Sequence, residues 1–276
     1  MDWHTSTSPQ IAAMREQQVC IIPVGCLERH ADHLPCGCDG LMAQKLAQLV
    51  AEREPCMVLP PLYYAIHFSG RNAIGAICMD TLVFLQYLEG ICDDVARNGF
   101  RKIVLLNAHG GNTNTLNAFL DMVADKGKDY AVLLPPLFLC HDVIEQVRET
   151  PEFGHACEVE TSMAMHLFGE HVYPEAIPQR DSLSLKDYDV APARMQLDWY
   201  GGFPDQYHGD ARAATAEKGR RIVEAQVAAL AELVRKIKAD TRVAELLARY
   251  RKDMADPKST AFELTHGRRG EEDGKT

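Results

Sequence analysis

The sequence predicts an α/β fold of three layers, with helices on both faces of a mostly parallel central sheet. Short β-branched apolar runs alternate along the chain with longer segments of helical period. Strands that alternate with helices are joined by right-handed crossovers, which leave neighbouring strands parallel and both faces of the sheet covered. A length of 276 residues, 46% of them hydrophobic and 25% charged, suits a globular chain whose core needs no staples.

The first strand is Val19–Val24, a β-branched run that stops at Gly25. Asp39 then opens a helix whose apolar positions Leu41, Met42, Leu46, Leu49 and Val50 follow helical spacing, and residues 57–62, bounded by prolines, give the second strand. The pattern repeats, with a helix over 80–97, a strand over 103–106 after Asn98-Gly99, a helix over 112–124 and a strand over 130–134. Helices follow over 141–148 and 157–167. Residues 173–210, irregular and containing Pro and Asp, are where a substrate-specific loop is expected. Residues 211–254 read as an amphipathic helix, with Ile222, Val227, Leu230, Leu233 and Val234 on its apolar face. No repeat or linker interrupts 1–255, so one domain is expected there, followed by a polar, flexible tail over 256–276.

A net charge of -10 argues against a nucleic-acid or anionic-membrane binder and for a small-molecule partner. No apolar run approaches the ~20 residues of a membrane span, and Met1-Asp2-Trp3-His4 lacks the basic-then-apolar pattern of a signal peptide, so the cytoplasm is the expected compartment. The nine cysteines are odd in number, scattered, and several lie in apolar runs, as reduced core thiols do. Cys36-Gly37-Cys38 is the one close pair, and without a second pair it is a weak zinc signal.

Three polar clusters lie where this pattern places strand ends and helix starts. The first runs from Gly25 through Glu28, His30, Asp32 and His33 to Asp39. Residues two apart in extended chain share a side, so Glu28 and His30 project together from the carboxyl end of a strand, the end where open α/β sheets bind ligands. Asp39 is either a helix cap or a second carboxylate for a divalent metal. The second cluster, Asn107-Ala108-His109-Gly110-Gly111-Asn112, is again a strand that passes through glycines into a helix. Its glycines permit close backbone approach, the helix start offers N–H groups to an oxyanion, and His109 is a candidate metal ligand. In the third, His155-Ala156-Cys157-Glu158-Val159-Glu160-Thr161-Ser162, the acidic residues suit a first helical turn. One of them, Glu160, is also a candidate ligand, and His155 is suited to carry protons.

Together the clusters resemble the creatininase family, the creatinine amidohydrolase superfamily of metal-dependent hydrolases. The family block G-x-x-E-Q-H-G-x-H-L-P-x-x-x-D is similar to residues 25–39, G-H-G-G-N to 108–112, and H-A-G-x-x-E-T-S to 155–162. A weaker fourth block, G-D-P-x-x-A-T-x-x-x-G, is similar to Gly209, Asp210, Ala214, Thr215 and Gly219. The resemblance spans about residues 15 to 235 in the expected order. It implies a three-layer, creatininase-like αβα fold, often a homohexamer, with Glu28, His30, Asp39, His109 and Glu160 as metal ligands, Asp39 bridging, and His155 as the active-site histidine.

Arg29, Ala31-Asp32, Cys157 and Ala211 depart from the family pattern but leave the metal positions intact. Creatinine-cleaving members carry a metal-binding glutamate where this chain has Gly111, and a tryptophan shortly before the active-site histidine, where it has Pro151-Glu152-Phe153-Gly154. Both differences point away from creatinine as substrate. The resemblance implies two divalent ions per subunit, Zn²⁺ or Mn²⁺ with Fe²⁺ as an alternative, and attack by a metal-bridging hydroxide on a carbonyl of a small cyclic amide. Opening of a cyclic diketone such as a keto-inositol by C–C hydrolysis is a second reading, and a non-catalytic metal-binding assembly protein a third. Tyr63, Tyr64, His67, Trp199 and Tyr207 are candidates for the pocket lining.

Overall fold

The computed structural model describes residues 1–183, 193, 195, 197–258 and 264. Along them run α1 (Ser8–Ala13), β1 (Val19–Val24), α2 (Cys38–Arg53), β2 (Met57–Val58), α3 (Thr81–Arg97), β3 (Lys102–Asn107) and α4 (Thr113–Asp125). They continue through β4 (Ala131–Leu133), α5 (His141–Val147), α6 (Glu158–Phe168), α7 (Asp198–Gly202), α8 (Ala216–Ala239) and α9 (Arg242–Ala255). The four strands are parallel, in the order β2-β1-β3-β4.

Strands β1 and β3 are buried at every position, which requires apolar cover on both faces. Alternation divides that cover in two. Val19, Ile21, Val104 and Leu106 face the layer of α2, α5, α6 and α8, whereas Cys20, Ile22, Ile103 and Leu105 face Phe84 and Leu88 of α3 and Leu116 and Phe119 of α4. The three-layer expectation therefore holds, and all nine cysteines are free thiols.

Four local expectations need correction. The second strand is Met57–Val58 and does not reach residue 62, because Pro60 and Pro61 have no N–H to give the sheet; Leu59 and Leu62 still donate to the carbonyls of Ile21 and Pro23. Asp80 stands outside α3 as its cap, accepting from the Leu82 and Val83 amides, and Asp39 lies inside α2 instead of capping it. The long helix over 211–254 is two helices. Asp240 turns extended between them, and the buried Lys102 ammonium donates to the carbonyls of Ile237, Lys238 and Asp240, closing the end of α8. Residues 259–263 and 265–276 of the expected tail, and 184–192, 194 and 196 of the irregular stretch, lie outside the described residues. No helix among the described residues is long and apolar enough to cross a membrane.

Two backbone contacts set the positions of the polar clusters. A Cβ on Gly25, at the carboxyl end of β1, would fall 2.2 Å from the Gly40 nitrogen, so β1 and the first turn of α2 touch backbone to backbone. On the same side, a Cβ on Gly219 of α8 would fall 1.8 Å from the Ser162 carbonyl oxygen, and Ser162 Oγ accepts the Thr215 amide, which docks α6 against α8. The fourth sequence block thus supports the third. Gly25→Ala is expected to cost about 3 kcal/mol or more of folding stability through overpacking, read from urea unfolding; wild-type stability would contradict the contact.

Candidate metal centre

The carboxyl ends of β1 and β3 and the start of α6 converge on one cluster. From the β1 end come Glu28 and His30, from the first turn of α2 comes Asp39, from the β3 end comes His109, and around α6 come His155 and Glu160. Glu28, His30, Asp39 and His109 are each at most 5% exposed. His30 Nε2 lies 3.0 Å from Asp39 Oδ1 and 3.5 Å from Glu160 Oε1. His109 Nδ1 lies 2.8 Å from Glu28 Oε1 and 3.1 Å from Asp39 Oδ2. The two oxygens of Asp39 therefore face two different imidazoles.

The far nitrogen of each imidazole explains why the near one points inward. His30 Nδ1 donates to the Glu28 carbonyl at 3.3 Å, His109 Nε2 to the Ile66 carbonyl at 3.0 Å and His155 Nε2 to the Arg29 carbonyl at 2.9 Å. A carbonyl only accepts, so each proton is placed on the outer nitrogen and the inner nitrogen turns a lone pair toward carboxylates, unless it gains a second proton or meets a cation. Burial by itself depresses His30 and His109, yet Asp39 and Glu160 on the one and Glu28 and Asp39 on the other overcome it and hold both well above the ordinary imidazole range. Conversely, burial raises Glu28 and Asp39, but the neighbouring imidazoles win and hold both below the usual carboxylate range. With the imidazole protons on their outer nitrogens Glu28 Oε1 has no hydrogen bond, although the inner nitrogens of His109, His155 and His30 lie 2.8, 3.7 and 3.8 Å away. An unsatisfied buried oxygen among three imidazole nitrogens fits a bound cation.

Three groups of donors among the described residues are close enough to hold an ion: Cys26, Glu28, His67 and His109; His30, Cys38, Asp39 and Glu160; and Glu28, His30 and His155. Cys26 Sγ donates to Asp39 Oδ2 at 3.2 Å, and burial followed by the Asp39 and Glu28 charges pushes its thiol far up, so without an ion it is a protonated donor. Of the close cysteine pair, Cys38 belongs to a donor set and Cys36 does not.

The two acidic residues of α6 separate by geometry, since residues two apart on a helix point to opposite faces. Glu158 is buried away from the cluster and accepts from the Glu149 and Thr150 amides, Thr150 Oγ1 and Lys218 Nζ. Glu160 turns inward, held at Oε2 by the Ala156 amide at 2.5 Å; Ala156 is left-handed, with φ +54°. His33 is outside the cluster. It donates from Nε2 to Thr161 Oγ1 at 2.8 Å, and burial pushes it down to about 4. Asp32 is exposed and pairs with Arg29.

Asn112, which the sequence places at the start of a helix and in the second family block without a role of its own, ties the strand ends together. Its Nδ2 donates to the Gly25 carbonyl and Asn107 Oδ1, and its Oδ1 accepts the Ile66 amide; Asn107 in turn accepts the His109 amide and donates to the His109 carbonyl, so the His109 backbone is tied to both strand ends. His67, considered only as a lining residue, lies 2.8 Å by Nδ1 from Glu28 Oε2. Its position just beyond the second strand, at the ligand-binding end of the sheet, was the available signal. A cavity of about 930 Å³ opens over the cluster, walled by Phe138, Phe153, Met163 and Trp199. Trp199 stands edge-on to His155, ring centres 5.7 Å apart, and its indole N–H is held by Gln206. Of the other lining candidates, Tyr207 is fully buried with its hydroxyl accepting the Ala211 amide, Tyr63 packs on Gly40, and Tyr64 is exposed.

In metal-free protein the stabilisation from His30 and His109 is complete below their ordinary value of 6.5 and is lost as pH rises through their raised values. That from Glu28 and Asp39 is present above their ordinary values of 4.5 and 3.8 and is lost as pH falls through the depressed ones. His33, neutral in the fold, works against stability as pH drops below 6.5. Because a metal ion competes with the imidazole protons, the rise in melting temperature on adding Zn²⁺ is expected to be larger at about pH 8 than at about pH 6. An equal or smaller rise at the higher pH would contradict this electrostatic account.

The chain is similar to several characterised hydrolases. It is 29% identical over 264 residues to a 3-dehydro-scyllo-inosose hydrolase of Thermotoga maritima, covering 85% of this chain and 83% of that one. It is 26% identical over 234 residues to a creatinine amidohydrolase of Pseudomonas putida, covering 79% and 88%. Among solved structures, a mutant creatininase complexed with creatine superposes with a TM-score of 0.72 at 25% identity, over 87% of this chain and 99% of that one, and creatininase is also known in Zn–Zn and Mn forms. The family model described as Creatininase, creatinine amidohydrolase, matches residues 4–234, and the chain belongs to this family of hydrolases.

Proposed function

We propose that the protein hydrolyses an amide of a small cyclic substrate, with Glu28, His30, Asp39, His109 and Glu160 holding two divalent ions, Zn²⁺ or Mn²⁺, and His155 moving the proton. The observation that carries this is Glu28 Oε1, buried and without a hydrogen bond among three inward-facing imidazole nitrogens. When bound, the ions lower the pKa of water toward neutrality and polarise a carbonyl. Asp39, with one oxygen toward His30 and the other toward His109, would hold both ions. His155, anchored at Nε2 by the Arg29 carbonyl, offers Nδ1 to the cavity and protonates the leaving nitrogen as the C–N bond breaks. We assign the Gly110 and Gly111 amides, ahead of α4 and in the cavity lining, to receive the carbonyl oxygen as it gains charge. Trp199 packs edge-on against His155 and limits the positions its ring can take.

Cleavage of a C–C bond in a cyclic diketone is the second reading, supported by the similarity to the Thermotoga maritima inosose hydrolase; there His155 protonates carbon. Gly111 supports a substrate other than creatinine under either reading. A Cβ at 111 would fall 2.4 Å from His109 Nε2, so the present seat of His109 excludes a side chain there. We further read residues 1–255 as one metallohydrolase domain. The exposed apolar side chains Ile74, Ile77, Leu82 and Val83 support a homo-oligomer, and the family suggests a hexamer.

The test is mass spectrometry of cyclic amides, formamides and cyclic diketones incubated with Mn²⁺- or Zn²⁺-loaded protein, watching for addition of one water. A product from the amides supports the first reading and one from the diketones the second, while no product with both ions bound favours a non-catalytic role. Asp39→Asn is expected to lose metal and turnover together, and retention of both would remove Asp39 from the centre. His155→Ala is expected to keep its metal and to slow turnover about 100-fold or more. Unchanged turnover would exclude His155 from proton transfer.

A further inference from the structure

Resting on the reading of the cluster as a metal centre, we propose that His67 is a positioning residue that holds Glu28 in a single-oxygen binding mode. The two oxygens of Glu28 have different surroundings. Oε1 lies among the inner nitrogens of His109, His155 and His30 and has no hydrogen bond, whereas Oε2 faces His67 Nδ1 at 2.8 Å. A proton on Nδ1 satisfies Oε2 and keeps it out of an ion's coordination shell, leaving Oε1 to the ion. Carboxylate ligands are oriented by such donors, and a carboxylate without one is free to rotate and offer both oxygens to the same ion.

The surroundings of His67 hold it to this task. Its backbone amide donates to Cys78 Sγ at 3.0 Å, and its ring stands edge-on to His109, centres 5.4 Å apart. His67 is 5% exposed, and its Nε2 is buried without a hydrogen-bond partner, as suits the bare acceptor of an Nδ1–H tautomer. Gly70 makes the seat possible: a Cβ there would fall 1.5 Å from His67 Nε2, so the ring occupies the space that any other residue at 70 would fill.

The experiment compares wild type, His67→Ala, His67→Asn and Gly70→Ala by Zn²⁺ affinity in chelator competition and by the visible absorption of the Co²⁺-loaded proteins, with circular dichroism as the folding control. His67→Ala is expected to weaken one of the two ions by about 10- to 100-fold and to alter its Co²⁺ spectrum, leaving the other ion within about twofold. His67→Asn, whose amide N–H reaches toward the place of Nδ1–H, is expected to restore both. Gly70→Ala keeps every side chain of the centre but drives the ring aside, and is expected to reproduce the His67→Ala loss. Wild-type affinities and spectrum in both His67→Ala and Gly70→Ala would overturn the proposal. So would His67→Asn as weak as His67→Ala, since the imidazole would then be needed as a ligand in its own right. Wild type that takes up no divalent ion would overturn the metal-centre reading itself, an outcome distinct from failure of His67 alone.

Discussion

Buried negative charge that needs a cation is the constraint on which the rest of this structure depends. Glu28 and Asp39 are almost fully withdrawn from water, and Glu160 stands close by. Isolated carboxylates at such depth would be protonated or unstable. Here imidazoles compensate them, each fixed by an N–H to a backbone carbonyl so that its inner nitrogen faces the carboxylates. That arrangement is satisfied by extra protons on the imidazoles or by divalent ions that replace those protons. Protonation, metal uptake and stability are thus linked through the same few atoms.

Holding the charges together is a task for rigid backbone more than for side-chain packing. The parallel sheet brings the carboxyl ends of β1 and β3 side by side, and Asn112 bonds Gly25, Asn107 and Ile66 to one another across that edge. The Gly25–Gly40 contact delivers Asp39 from the first turn of α2, and the Gly219–Ser162 contact seats α6 so that Glu160 reaches the cluster. Ala31 and Ala156, both left-handed where glycine is cheaper, are held by the Gln206 carbonyl and Glu160 respectively. Such strain at a site is sustained only where the surrounding bonds over-determine the conformation.

Above this shared base the cavity is particular to the chain. The His109 ring fills the space a side chain at Gly111 would take, and the wall beside His155 is Trp199, brought by a segment well beyond the third motif. Gln206 links that wall to the loop between β1 and α2, since its side chain holds the indole and its carbonyl accepts the Ala31 amide. The substrate-facing wall and the base of the site are therefore mechanically connected.

Sequence alone determined the layered parallel architecture, because the periods of hydrophobicity are local properties of the chain: residues 19–24 and 103–106 read as strands and are buried at every position. It also determined which motifs mattered, since a carboxylate beside an imidazole at a predicted strand end has a chemical meaning before folding. Tertiary structure decided the rest. Only the packing of α6 showed that Glu158, two residues before Glu160, is paired with Lys218 from a distant helix. Only the packing of β1 on α2 showed that Asp39 faces inward instead of capping, and only the spatial return of the loop after β2 brought His67 against Glu28. Prolines 60 and 61 shortened β2, and Lys102, far away in sequence, set the end of α8. Each of these depends on a partner distant along the chain, and a pattern read along the chain carries no record of such partners.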